Sequence, residues 1–366
     1  MNMIEARIRL NGPTDLLTTI PLLLGFHPDH SLVVVGLIGG ELQCTFRVDL
    51  PGSADHLEHL PDLTAQLSIN ECTHCVLVAY GDKEVAEASI ERAATRLTAA
   101  GIRPIDQLRV SRGRWFSLIC DRPCCPPEGL ALPESSAASC EVAVAGGYAE
   151  SDRSRITEQL APAPPGRRAA VEKAVAATLA AEADLDWAAQ RSLDLHAIDH
   201  WMSVPSLPGP DEIAMVGLAL GDPDIRDYAL RRISSGEYEG NRIDLWIWVA
   251  RHMGDDLVAP AAGVAGFAAY RFGNGVLAGE CFELALRSSP NFRLALMLRA
   301  ALHRGFPPSA LSRVGFADRE PAETEDAPTD ERNKANQSTQ PDRTPPQPDA
   351  NKEAPSPEPE RNRGTT

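Results

Sequence analysis

Ser31-Leu-Val-Val-Val-Gly-Leu-Ile-Gly-Gly-Glu-Leu-Gln-Cys-Thr-Phe-Arg-Val-Asp-Leu50 decides the fold class. Its first eight residues are β-branched and apolar, and Gly39-Gly40 supplies a two-residue hairpin turn. In the returning strand Leu42, Cys44, Phe46 and Val48 alternate with Gln43, Thr45, Arg47 and Asp49, so one face is buried. A sheet therefore stands near the start of the chain, and the neighbouring segments are read against it.

Upstream, Ala6 to Leu10 reads as a short strand. Pro13 opens a helix with Asp15 in its first turn and Leu16, Leu17, Ile20 and Leu23 at helical spacing; Pro21 shortens or kinks it. Downstream, a polar helix is expected near Ala54 to Leu67. Cys75-Val-Leu-Val-Ala-Tyr80 is a continuous apolar run, the mark of a strand covered on both faces. Glu84 to Ala100 is a helix ended by Gly101. Ile105–Val110 and Trp115–Cys120 flank the hairpin signal Ser111-Arg-Gly-Arg. Alternating strands and helices predict an α/β N-terminal domain, a mixed sheet with hairpins and flanking helices.

The second half shows no convincing strand. Arg167 to Met202 is alanine-rich and helix-forming. Ile213–Leu220, Ile225–Ile233 and Ile243–His252 read as further helices. Ala262 to Arg304 resembles a tetratricopeptide-type hairpin, with Gly266, Ala278, Phe282, Ala285 and Pro290 at that motif's spacings and no second copy 34 residues away. An ordinary helical hairpin is the plainer reading of the same stretch. The expected organisation is an α/β domain over 1–155, a Pro-rich linker over 156–167, an all-α domain over 168–316 and a tail over 317–366.

That tail contains no large apolar residue and nine prolines, so it cannot bury enough surface to fold. It holds 12 acids and 7 bases of a chain whose 366 residues carry a net charge of −16. Such an acidic balance offers no basic footprint for nucleic acid and no attraction to anionic lipid. No run is long and apolar enough to cross a membrane, and the start lacks a secretory signal, so a cytoplasmic location is expected.

Eight cysteines follow: Cys44, Cys72, Cys75, Cys120, Cys124, Cys125, Cys140 and Cys281. Cys72-Thr-His-Cys75 has the gap of a metal knuckle, and Cys120-Asp-Arg-Pro-Cys124-Cys125 could supply the other ligands. Cys75 starts a buried strand and the knuckle lacks a turn glycine, so no metal and no cofactor are assigned. Cys124-Cys-Pro-Pro-Glu-Gly129 is a rigid loop that offers nucleophilic thiols without an identifiable base. In Leu24-Gly-Phe-His-Pro-Asp-His-Ser31, His27 and His30 are candidate ligands or bases, and turn-forming roles compete. Arg47 and Asp49, on a polar strand face, are a candidate site pair, with a surface ion pair the default reading. His196 and His200 share a helix face without a catalytic glutamate. Phosphate-loop, dinucleotide-loop and serine-elbow motifs are absent from the sequence. The candidate site is therefore His27, Asp29, His30, Arg47, Asp49, Cys120, Cys124, Cys125 and Glu128.

Four segments together resemble an uncharacterised actinobacterial family known only as a domain of unknown function, number 4192. They are Pro21–Gly36, Arg47-Val-Asp-Leu-Pro51, Arg114-Trp-Phe-Ser117 and Cys124–Gly129, joined by Gly273-Asn-Gly275. The resemblance covers about residues 5–315, implies a cytosolic bacterial protein and brings no activity or site residue. Three functions stay open: a protein-interaction or regulatory module with a protein partner, an enzyme or small-molecule binder using the 24–31 and 120–129 loops, and a zinc-stabilised scaffold. If the tail is dispensable for folding, a chain ending at Phe316 melts at the temperature of the full-length protein in a thermal scan. A drop of several degrees would show that the tail packs on the body.

Overall fold

In the computed structural model residues 8–145, 147–235 and 242–313 are described. The N-terminal half forms a six-stranded mixed sheet from β1 (Ser31–Ile38), β2 (Glu41–Asp49), β3 (His74–Tyr80), β4 (Arg103–Ser111), β5 (Arg114–Ser117) and β6 (Leu130–Ala131). Their order is β2-β1-β3-β4-β5-β6. β1 pairs antiparallel with both β2 and β3, β3 pairs parallel with β4, and β4, β5 and β6 continue antiparallel. The parallel pair is joined by a helix crossing one face, as parallel strands require.

Side chains on alternate residues go to opposite faces. Val33, Val35, Val76, Val78, Tyr80, Leu108 and Trp115 face a cluster shared with α1 (Pro13–Leu24) and the helices after residue 153. Leu32, Val34, Cys75, Leu77 and Ala79 face a second cluster under α3 (Lys83–Ala99), α2 (Thr64–Ile69) and a 3-10 turn (Ala54–His59). The expected hairpin closes at Gly39-Gly40, with φ of 57° and 88°. The run at Cys75–Tyr80 is indeed a strand buried on both faces.

Four expectations change in detail. Residues 8–10 form no strand, and Ala6 and Arg7 lie outside the described residues. The polar helix near 54–67 is instead a 3-10 turn and the short α2. β5 stops at Ser117, before Cys120, because the chain must turn to reach β6. The Ala-rich stretch divides into α6 (Pro165–Glu182) and α7 (Trp187–Ser203), the latter started by Asp186, whose carboxylate accepts the Ala189 N–H. The expected tail, Ala317–Thr366, lies outside the described residues.

Between sheet and bundle come α4 (Ala137–Val144) and α5 (Arg153–Gln159). The bundle continues with α8 (Pro210–Ala219), α9 (Pro223–Ser235), α10 (Ile243–His252), α11 (Val258–Arg271), α12 (Gly275–Ser288) and α13 (Arg293–His303). α11 is buried along nearly its whole length, from Val258 to Tyr270. Trp246, Phe267 and Phe282 are fully enclosed. No described helix is long and apolar enough to cross a membrane. Truncating Phe282, which has no exposed surface, removes a full aromatic side chain from this packing. The Phe282→Ala variant is expected to lose about 3–5 kcal/mol, which calorimetry would read as a melting point lower by roughly 10 °C.

Candidate functional site

Two loops carry the candidate residues. The first follows α1, whose C-cap Gly25 donates its N–H to the Pro21 carbonyl at 2.8 Å. Phe26 is buried and bridges Glu150; the His27 N–H donates to the Glu150 carbonyl at 3.0 Å, and the Glu150 N–H donates to the Gly25 carbonyl at 2.8 Å. His27, Asp29 and His30 are placed on this loop, with the His27 side chain exposed. The Asp29 carboxylate accepts the His30 N–H at 2.9 Å, and the Ser31 hydroxyl donates to the Asp29 carbonyl at 2.6 Å. Arg47 donates to Ser31 Oγ at 2.8 Å, pairs with Asp49 at 2.5 Å and lies over the Phe26 ring. Five of the expected site residues thus gather at this end of β1 and β2. Asp49 is 72% exposed, so its ion pair with Arg47 is of the surface kind that contributes little.

The second loop leaves β5. The Leu118 N–H still reaches the Gln107 carbonyl, and the chain then folds through two tight turns, Cys125 N–H to Arg122 O and Gly129 N–H to Pro126 O, both 2.8 Å. Arg114 clamps the returning arm, donating to the Glu128 carbonyl at 2.8 Å and to the Gly129 carbonyl at 2.6 Å. Gly129 has φ of 71°, and a Cβ there would stand 2.6 Å from the Phe116 ring, so glycine suits this position on both counts. Pro123, Pro126 and Pro127 reduce the loop's remaining freedom.

These restraints bring three thiols together. The sulfurs of Cys120, Cys124 and Cys125 all lie within 4.8 Å of one another, with Cys120 and Cys124 3.9 Å apart. Cys124 is exposed; Cys120 is half-buried, and half-buried Cys125 packs against the core. The Arg122 N–H, with the Cys125 thiol and the Arg122 charge, holds Cys120 below the ordinary thiol range. Cys125, hydrogen-bonded to Cys120 and Cys124, is pushed up to about 12. Glu128 is exposed at the loop's far end, where it contributes its carbonyl to the Arg114 clamp.

Strand directions separate the two loops. β1 and β5 point the same way, with β3 and β4 running oppositely between them. The first loop enters β1 at one end of the sheet, whereas the second leaves β5 at the other. Three strand spacings, about 14 Å, lie between those strands. Cys72 and Cys75 also stand apart from the three thiols: among the described residues the metal-capable group is Cys120, Cys124 and Cys125 without them.

Sequence reasoning missed Arg114, although it quoted Arg114-Trp-Phe-Ser117, because a guanidinium clamping two carbonyls leaves no periodic mark. It also missed the close approach of two quoted segments. A Cβ on Gly25 would touch the Asn274 amide at 3.5 Å, while Asn274 Oδ1 accepts the Leu277 N–H as the N-cap of α12.

A family model described as "Domain of unknown function (DUF4192)" matches residues 13–309. No curated protein and no solved structure matches the chain. Replacing Arg114 with alanine should remove the clamp on Glu128 and Gly129 at a cost of about 1 kcal/mol, less than a buried charged hydrogen bond because Arg114 is exposed. Hydrogen exchange at residues 128–131 would quicken in Arg114→Ala, and unchanged exchange would remove the clamp from this account.

Proposed function

As a member of the DUF4192 family this chain inherits no known activity, and we propose that it binds a thiophilic metal ion of the zinc class through Cys120, Cys124 and Cys125. The carrying observation is the spacing of the sulfurs. Thiolates placed about 2.3 Å from a tetrahedral ion stand about 3.8 Å from one another. Cys120 and Cys124 are 3.9 Å apart, and Cys125 lies within the same 4.8 Å circle. Soft sulfur donors select zinc or monovalent copper over calcium and magnesium. The Arg122 N–H that favours the Cys120 thiolate prepares one ligand for deprotonation. Three thiolates would leave a four-coordinate ion one ligand short, a place that water or a partner's side chain would fill. Residence in the cytosol suits this reading, since reducing surroundings keep all three thiols available.

A second reading, an interaction or regulatory role with a protein partner, is favoured by apolar side chains that α6 and α7 hold in solvent. Leu179 is 52%, Trp187 43% and Leu193 49% exposed.

The metal reading is tested by adding Zn²⁺ to the reduced full-length protein in competition with a chromophoric chelator. One equivalent should bind per chain, Co²⁺ should show thiolate charge-transfer absorption, and Cys124→Ser should abolish both while Cys72→Ser keeps them. Absence of binding, or binding indifferent to Cys124→Ser in a folded variant, would falsify the proposal.

A further inference from the structure

A second set of thiols lies on the other side of the sheet, independent of the metal reading. Cys44 on β2 and Gly36 on β1 are paired, and Gly36 also faces Cys75 on β3. Cys72, just before β3, closes over the same glycine. Its sulfur is 3.6 Å from that of Cys44 and also points at the Asn70 carbonyl, 3.6 Å away. A Cβ on Gly36 would stand 2.6 Å from the Cys72 sulfur and 2.7 Å from the Cys44 sulfur, so the missing side chain is what lets the two thiols meet.

We infer that Cys44 and Cys72 are a reversible oxidation site, closed by a peroxide into a disulfide that staples outer strand β2 to the segment entering β3. A disulfide needs sulfurs about 2.05 Å apart, so the pair at 3.6 Å must close by about 1.5 Å. Cys75 is no rival for Cys44: with Gly36 between them they are two strand spacings apart, about 10 Å between Cα atoms, beyond the roughly 7 Å a disulfide spans.

The chemistry balances with a peroxide as oxidant. Cys44, half-buried on the outer strand, is the thiol an oxidant reaches first; Cys72 is buried. The Cys44 sulfur attacks one peroxide oxygen, the O–O bond breaks, and a sulfenic acid and one water result. The Cys72 sulfur then attacks the Cys44 sulfur. The S–S bond forms, the S–O bond breaks, and the departing hydroxide takes the Cys72 proton as a second water. A dithiol reductant reverses the bond by exchange. Burial raises both thiols above their ordinary range, which slows attack and suits a response to sustained oxidant.

The staple would act on a structural seam. Asn70 Nδ2 donates to the Gly305 carbonyl at 2.6 Å and to the Gln66 carbonyl at 2.7 Å, and Gln66 Nε2 donates to the His303 carbonyl at 3.2 Å. The segment that Cys72 terminates therefore holds the turn after α13. Fixing it to β2 stiffens that attachment.

The test treats the reduced full-length protein with hydrogen peroxide, alkylates remaining thiols and maps tryptic peptides. The peptide ending at Arg47 should be found joined to the one ending at Lys83, with fragmentation placing the bond on Cys72. A dithiol should release it. The oxidised protein should melt several degrees higher than the reduced one, a rise that Cys72→Ser lacks. Cys44 and Cys72 both alkylated after treatment, or Cys44 bonded to another cysteine, overturns the inference. Should Cys72→Ser not fold, the peptide map of the native sequence decides alone.

Discussion

The structure depends on a sheet that is buried from both sides. β1 and β3 lie inside it, and along each strand successive side chains go to different cores. Val33, Val35, Val76 and Val78 go to the helical body; Leu32, Val34, Leu77 and Ala79 go to the layer under α3. A slip of one residue in either strand would exchange these sets. Both faces are apolar, so the exchange would not expose them; it would misfit every neighbouring side chain. Register is held by size, and Gly36 is the place where size matters most, since the opposing cysteines already fill the space above it.

The same constraint explains why one residue type has two chemistries here. Cysteines on the covered face lose water, and their thiols are driven up: Cys75 to about 12, with Cys44 also raised. Beyond β5 the sheet runs out. β5 has four residues and β6 two, so the chain between them is a solvent-facing loop held by local turns and Arg114. There a backbone N–H can reach the Cys120 sulfur and favour its thiolate. Burial raises the thiols on the sheet, whereas in the loop the hydrogen bonds among the thiols and the Arg122 N–H lower Cys120 and raise Cys125.

Much of the fold was legible because it is local. The Gly39-Gly40 hairpin, the apolar run of β3 and the periodic helices from Ile213 onward all carry their signals within a few residues. What escaped needed knowledge of direction. Residues 24–31 and 120–129 both looked like loops at strand ends, as they are, but whether two ends share a side of the sheet depends on how many strand reversals lie between them. With β3 and β4 parallel and two antiparallel pairings beside them, β1 and β5 point alike. The entrance of one and the exit of the other then fall at opposite ends. Cys72-Thr-His-Cys75 depends on pairing in the same way: its spacing suits a knuckle, but Cys75 belongs to β3, as its apolar run indicated, and the sulfur that Cys72 meets is that of Cys44 over Gly36.

The separation of the two loops also narrows what chemistry the protein can perform. His27 and His30, the bases of the first loop, stand three strands from the thiolate that could use one, so the nucleophile-and-base arrangement of a thiol hydrolase is not assembled from these residues. The first loop's hydrogen bonds instead join it to itself and to its neighbours: Gly25 with Glu150, Asp29 with His30, Arg47 with Ser31. They tie the end of α1 to β2 and to the segment around Glu150, while Gly25 lies so near Asn274 at the start of α12 that a Cβ there would reach the amide. Polar residues concentrated in such a loop serve to hold three distant segments at one point. The second loop spends its hydrogen bonds differently, fixing its backbone and leaving three sulfurs close enough to share a ligand. That contrast, satisfied polar groups at one end and clustered soft donors at the other, is why the thiol cluster carries the functional reading.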